Sequence, residues 1–231
     1  MENSRRDFIK TSLLASSALM AYPWLKAMAN PSTVGKSASD KVRVAVIGVG
    51  SRGSGLLHNL LAIKDSHNIE IIAVCDNYEP HFQRAGKLAG SNAKAFYDYR
   101  NVLDMPDMDA VIIATPLHQH AHIAIDAMLA GKQVFCEKAM ARHLDNVKQM
   151  ADTHYQTGKI LQIGHQRMFD PKYIKAIQYV KENRIGQVTQ IRAYWHRNND
   201  WRRPVPKDKP ELERKINWRL YQEYSLGDRK S

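Results

Sequence analysis

From residue 42 to residue 163 the chain alternates short β-branched runs with stretches of helical period. Val42-Arg43-Val44-Ala45-Val46-Ile47 is an apolar run of strand length that stops at glycines, which predicts a buried strand running into a sharp turn. Leu56, Leu57, Leu60 and Leu61 then recur at helical spacing, and Ile69 to Val74 reads as a second buried strand. The same reasoning predicts a helix over 79–89, a short strand over 94–96, a helical turn over 98–103 and a strand over 109–115 ending at Thr115-Pro116. A helix over 120–130 is closed by Gly131, a strand covers 133–136, a helix over 144–157 is stopped by Gly158, and 160–163 is one further strand. Strand and helix alternating at these intervals predict an α/β fold, a doubly wound parallel sheet with helices on both faces.

The first turn of this pattern carries chemistry. Gly48-Val49-Gly50-Ser51-Arg52-Gly53 has the spacing G-x-G-x-x-G between a predicted strand and a predicted helix, and Asp76 closes the next strand 23 residues after Gly53. That order is what a Rossmann dinucleotide site requires. Gly48 permits the tight turn, Gly50 lets backbone approach a pyrophosphate, and Gly53 lets helix pack closely on strand. The helix N-terminus adds unpaired N–H groups and the positive end of a dipole. A carboxylate at Asp76 would accept from the adenosine ribose hydroxyls and repel a 2′-phosphate, so the expected cofactor is NAD. The ligand edge lies at the C-terminal ends of the strands, where the glycine turn, Asp76, Thr115-Pro116 and Glu137-Lys138 would converge.

The amino terminus indicates an address. Ser4-Arg5-Arg6-Asp7-Phe8-Ile9-Lys10 resembles a twin-arginine export signal, followed by a weakly apolar stretch from Leu13 to Leu25 and a small-x-small cleavage site at Ala27-Met28-Ala29. That stretch is too short and too interrupted for stable membrane insertion. Residues 1–29 are therefore expected to be a signal peptide read by the twin-arginine machinery, 30–40 a Ser/Thr/Gly/Pro-rich linker, and 41–165 the nucleotide-binding domain of a periplasmic protein.

Beyond residue 165 the pattern weakens. Residues 171–183 read as a helix, 187–196 as an alternating strand and 198–219 as a long polar loop, with a polar tail after Ser225. Residues 166–231 are thus expected to be the start of an incomplete α/β substrate domain, too short for a complete sheet. Such an incomplete domain would leave 187–196 as an open strand edge, a template for homo-oligomer formation.

The net charge of +11 raises nucleic acid as a partner. Nine Lys/Arg against four Asp/Glu fall between 192 and 219, interleaved with Tyr194, Trp195, Trp201 and Trp218. A periplasmic address disfavours nucleic acid, leaving a carbohydrate pocket, in which Trp faces stack on sugar rings and Arg reads polar groups, beside a merely solvated basic face. The candidate substrate contacts are His165, Trp195, Arg202, Trp218 and Arg219, with His165 equally readable as a strand-end histidine. His118, His120 and His122 invite a metal reading, but a helix beginning near His118 would turn 120 away from 118 and 122, and no acid or cysteine completes the set, so no metal is expected. The two cysteines, Cys75 and Cys136, fall in strand-like runs and should be buried thiols.

Ala114-Thr115-Pro116-Leu117-His118-Gln119-His120, Gly131-Lys132-Gln133-Val134-Phe135-Cys136-Glu137-Lys138 and Gln162-Ile163-Gly164-His165-Gln166-Arg167, coming in this order after the glycine turn, resemble the Gfo/Idh/MocA family of NAD(P)-dependent sugar oxidoreductases. The resemblance runs over about 41–225 and is strongest to secreted bacterial members, including those related to NAD-dependent α-N-acetylgalactosaminidases. It implies a Rossmann domain followed by an α/β domain bearing the substrate pocket. By that likeness Ser51 and Arg52 touch the pyrophosphate, Asp76 the ribose, Thr115, Pro116, Leu117 and His120 the nicotinamide half, and Glu137, Lys138 and Gln166 complete the cofactor site.

The likeness also marks Lys138 and His120 as catalytic, because the family's E-K-P motif places a lysine beside the nicotinamide. Held among apolar strands, such a lysine could have a depressed pKa and pass a proton as hydride moves. Here the motif is Glu137-Lys138-Ala139, without the proline. The implied activity is hydride transfer between a sugar, or a sugar derivative, and NAD. A glycosidase using bound NAD for transient oxidation and elimination is the alternative, and a non-catalytic cofactor-binding remnant a third. With an incomplete second domain, NAD binding with little or no turnover is expected of this chain alone.

Overall fold

The computed structural model describes residues 41–196, 198 and 202–217. The expected signal peptide and linker, Trp218, Arg219 and the tail lie outside the described residues. Six strands, β1 (Val42–Ile47), β2 (Ile69–Cys75), β3 (Lys94–Phe96), β4 (Ala110–Ile113), β5 (Gln133–Glu137) and β6 (Leu161–Gly164), form one sheet in the order β3-β2-β1-β4-β5-β6. Every neighbouring pair is parallel. The helices between them are α1 (Ser51–Ile63), α2 (Glu79–Ala89), α3 (Tyr99–Leu103), α4 (His120–Leu129) and α5 (Leu144–Thr157). No helix among the described residues is long and apolar enough to cross a membrane.

Two apolar layers hold the sheet. On one face Ile47, Val111, Ile113, Val134 and Cys136 pack with Val102 of α3, with Ala124, Ala127 and Met128 of α4, and with Met150 of α5. On the other Val46 and Val74 meet Leu57 of α1 and Ala85 of α2. Val44 pairs with Ile71 but Ala45 pairs with Ala73, so Ile72 is an extra residue in β2. This bulge changes the side-chain parity and puts Ile71 in the second layer while Ala73 and Cys75 join the first.

The second face is covered unevenly. Over the β5–β6 half, Phe135, Gln162, Gly164, His165, Gln166 and Phe169 line an open cavity of about 390 Å³.

The carboxy-terminal region departs from expectation. Helix α6 (Pro171–Lys181) forms, capped by the Asp170 carboxylate accepting from Lys172 N at 2.9 Å, but all of its residues are exposed. The predicted strand over 187–196 is not one. Its backbone joins no ladder among the described residues, and an extended segment without a neighbouring strand has no partner for its N–H and C=O groups. The expected loop contains a short helix, α7 (Glu213–Ile216), preceded by a 3-10 turn over Pro210–Leu212.

Candidate functional site

The strand order reverses between β1 and β4, so their C-terminal ends open a crevice. Gly48 stands at its edge with φ of 84°, and a Cβ there would meet the Ala114 carbonyl carbon and the Thr115 nitrogen at 2.7 Å. A Cβ on Gly53 would lie 1.8 Å from the Gly48 carbonyl oxygen. The first glycine is therefore required by contact with the chain leaving β4, and the third by contact between α1 and the turn it leaves. The second, Gly50, is the N-cap of α1 and supplies no side-chain cap, and the first turn contains no acid. The first backbone bond of the helix runs from Ser54 N to Gly50 O at 2.9 Å, leaving the N–H groups of Ser51, Arg52 and Gly53 at an open, electropositive end. This cradle fits a pyrophosphate. Beside it the Thr115 hydroxyl oxygen is buried with no hydrogen-bond partner in the protein.

Asp76 closes the loop from behind. Its Oδ2 accepts from Val49 N at 2.8 Å and its Oδ1 from Tyr78 N at 2.9 Å. The carboxylate thus holds the glycine turn in shape in addition to standing where a ribose would be read. Helix α2 contributes two residues not expected from sequence. His81 Nδ1 sits 3.4 Å from Asp76 Oδ2, and Arg84 Nη2 donates to Val49 O at 3.1 Å and to Ser54 Oγ at 3.2 Å. Their i, i+3 spacing after the acid places both on one helix face, and that spacing was the available signal.

Across the crevice, Glu137 ends β5 with a side chain only 5% exposed. Arg52 reaches it from α1, Nε at 2.7 Å and Nη2 at 2.6 Å from Oε1. With its amide oxygen turned inward, Gln166 accepts from Arg52 Nη1 at 3.2 Å and Nη2 at 3.1 Å. Arg52, expected on the pyrophosphate, therefore has its guanidinium on Glu137 and Gln166, while its backbone N–H remains at the helix end. Ser51 is exposed at the same end.

His120 requires a correction. Expected to touch the nicotinamide half and act in catalysis, it is 2% exposed, with Nδ1 2.8 Å from Ala139 O and Nε2 3.0 Å from Thr115 O. Both ring nitrogens are used to join the loop after β4 to the loop after β5, so the residue positions those loops and has no atom free for a ligand. Lys138 is also corrected in one respect: it is exposed, not enclosed among strands. Its N–H donates to Glu137 Oε2 at 3.3 Å, and the peptide that follows it is cis.

Pro116 and Leu117 line the same edge, half-buried, and helix α4 begins at His120 after a 3-10 turn over Leu117–Gln119. The helix therefore starts where its periodicity predicted, at His120. Burial pushes the His118 imidazole below its ordinary value, with the Arg142 charge adding to the effect. Among the described residues no group of three His, Cys, Asp or Glu could hold a metal.

The candidate substrate contacts separate. His165 is exposed on the wall of the 390 Å³ cavity. Arg167, two residues further on, lies 5.6 Å from the centre of the Trp195 ring and 5.3 Å from that of Tyr173. Arg202 belongs to another cluster, paired with Glu213 of α7 at 3.3 Å.

A parallel sheet with a glycine cradle and a strand-end acid at its switch point defines a dinucleotide-binding Rossmann domain. The chain belongs to the Gfo/Idh/MocA oxidoreductase family, whose model, described as an oxidoreductase family with NAD-binding Rossmann fold, matches residues 42–165. Glycosyl hydrolase family 109 protein 2 of Shewanella sp. (strain ANA-3) is 29% identical over 96% of this chain and 54% of its own length. An inositol 2-dehydrogenase/D-chiro-inositol 3-dehydrogenase of Lactiplantibacillus plantarum is 30% identical over 63% of this chain and 41% of its own. The crystal structure of scyllo-inositol dehydrogenase from Lactobacillus casei with bound NAD(H) and scyllo-inositol superposes with a TM-score of 0.59 at 26% identity, covering 65% of this chain and 44% of that one. The chain spans about half the length of the relatives it matches.

Proposed function

We propose that this protein is an NAD-dependent oxidoreductase acting on a sugar or sugar derivative by hydride transfer to or from the nicotinamide. The observation that carries the proposal is the continuity of the site. Arg52 belongs to the glycine-turn helix and is bonded to Glu137, the residue before Lys138, so the phosphate cradle and the lysine loop form one connected edge. Bound NAD would supply the hydride acceptor or donor. The helix N-terminus would hold its pyrophosphate, Asp76 its ribose, and the exposed Lys138 amine would exchange a proton with the substrate hydroxyl as the carbon changes oxidation state. His165, Trp195 and the neighbouring Arg167 are the described residues suited to a sugar face.

Asp76 favours NAD over NADP, because a 2′-phosphate would meet its negative charge. Export to the periplasm by the twin-arginine machinery is part of the same proposal, resting on the Ser4-Arg5-Arg6-Asp7-Phe8-Ile9-Lys10 motif. Association of copies is supported by the exposed Ile191, Tyr194 and Trp195 of the 187–196 segment, which joins no ladder among the described residues. A second reading, an NAD-dependent glycosidase, is favoured by one observation. The glycosyl hydrolase relative aligns with 96% of this chain, including the segment after the Rossmann domain, whereas the inositol dehydrogenase aligns with 63%.

Calorimetric titration of the purified chain with NAD, followed by incubation with sugars, inositols and aryl glycosides, tests the proposal. NAD binding that survives Lys138→Ala is the expected outcome, and whatever NADH the chain forms on a sugar should be lost in that variant. Release of aryl alcohol without net NADH transfers the assignment to the glycosidase reading. Failure to bind NAD overturns both.

A further inference from the structure

We propose that Arg52 is a positioning residue for the nicotinamide half of the site, acting through Glu137, rather than a ligand of the pyrophosphate. This rests on the reading of the crevice as an NAD site and assigns Arg52 to one half of that cofactor. Arg52 is the second residue of α1, at a helix end that already favours an anion through its backbone N–H groups. Its side chain is engaged elsewhere. Nε and Nη2 lie 2.7 and 2.6 Å from Glu137 Oε1, and with the Gln166 amide oxygen turned inward Nη1 and Nη2 lie 3.2 and 3.1 Å from it. Every nitrogen of the guanidinium therefore has an acceptor within the protein. A phosphate would have to compete with a carboxylate for the same fork.

Glu137 is fixed on its other sides as well. Its side chain is 5% exposed, against 41% for Arg52. Glu137 pairs with Gly164 of β6, and a Cβ on Gly164 would come 3.1 Å from Oε1, so the carboxylate lies close over the end of that strand. Oε2 accepts from the Lys138 N–H at 3.3 Å. One carboxylate thus has Arg52 on one oxygen and the backbone of the lysine loop on the other. A buried carboxylate deprived of its cation is strongly destabilised, so it turns toward water, and the acceptor that the Lys138 N–H meets goes with it. Charge-assisted bonds to a planar fork also fix direction, which a lysine ammonium does not reproduce. Arg52 therefore sets where the Lys138 loop stands relative to the phosphate cradle, while the cradle itself works through backbone N–H groups.

ADP-ribose and NADH separate the two halves, because both carry the adenosine and the pyrophosphate and only NADH carries the nicotinamide. Kd for each is measured by calorimetry on the wild type, Arg52→Gln, Arg52→Lys, Glu137→Gln and the Arg52→Gln/Glu137→Gln double variant. The expected result for Arg52→Gln is ADP-ribose binding within about twofold of the wild type and NADH binding roughly tenfold weaker, the scale of one charged hydrogen bond. Glu137→Gln should do the same, and the double variant should add little to either, because both changes break one contact. Arg52→Lys should recover only part of the NADH affinity. Loss of a phosphate ligand, or a general loss of structure, would weaken both ligands. Equal weakening of ADP-ribose and NADH in Arg52→Gln therefore overturns the proposal. So do additive effects in the double variant, or an NADH affinity unchanged in Arg52→Gln. These outcomes leave the functional reading standing. If Arg52→Gln does not fold, Arg52→Lys carries the same comparison. Failure of the wild type to bind either ligand overturns this proposal together with the functional reading beneath it.

Discussion

Two loops at the strand ends build this site, and they are held by different physics. The turn after β1, besides the bonds of Val49 to Asp76 and Arg84, depends on what is missing: a Cβ on Gly53 would lie 1.8 Å from the Gly48 carbonyl oxygen, and one on Gly48 would meet backbone atoms at 2.7 Å. The loop after β5 is held by what is present. His120 fixes the Ala139 carbonyl, and Arg52 and the Lys138 N–H engage Glu137. Steric exclusion tolerates no substitution, whereas hydrogen bonds weaken one at a time. The first loop should therefore fail abruptly under mutation and the second in steps.

The strongest way to break that comparison is Gly53→Ala. The clash is with backbone, which cannot rotate away, so α1 must shift from β1 at a cost on the order of 3 kcal/mol or more. Thermal unfolding followed by circular dichroism should show a fall in Tm of roughly 6 to 12 °C. A Tm within about 1 °C of the wild type would show that the turn has slack.

His120→Ala should cost less, about 1 to 3 kcal/mol in urea unfolding, because it removes a buried side chain's contacts to two carbonyls. The fold should persist. Backbone amides of 115, 117–119 and 138–142 should exchange faster with deuterium, while the exchange of those of 48–54 is unchanged. Equal acceleration in both loops would erase the distinction between them.

The smallest effect concerns the cysteines, Cys75 at the end of β2, which pairs with β1, and Cys136 one residue before the end of β5. Both thiols are buried and both are pushed up to about 12, mainly by burial, with Asp76 adding to Cys75 and Glu137 to Cys136. Because thiolate is the reactive form, neither should be alkylated in the native protein near about pH 8, and both should react once it is unfolded. Reactivity should rise only as the pH climbs toward about 12. Selective labelling of one would show that its loop opens.

The legible parts of the molecule were those with local causes. Helix 144–157 and strand 42–47 occupy the predicted residues because periodicity and end signals lie within the segments themselves. The strand expected over 187–196 failed for the opposite reason. Alternation describes a face, but a strand exists only beside a partner, and 187–196 joins no ladder among the described residues. His120 was legible as a residue that matters and illegible in its role, since its partners, Thr115 and Ala139, are brought to it by the fold.

By itself the sequence determined the parallel α/β architecture, the glycine cradle and the acid at the end of β2, because hydrophobic period and glycine spacing are written within short segments. Only the tertiary structure decided that Arg52 would pair with Glu137, 85 residues away, and that His81 would lie over Asp76. It also decided that the β5–β6 half of one sheet face would stay open as a cavity. Such contacts depend on the relative placement of whole elements, and that placement is set by the packing of both apolar layers at once.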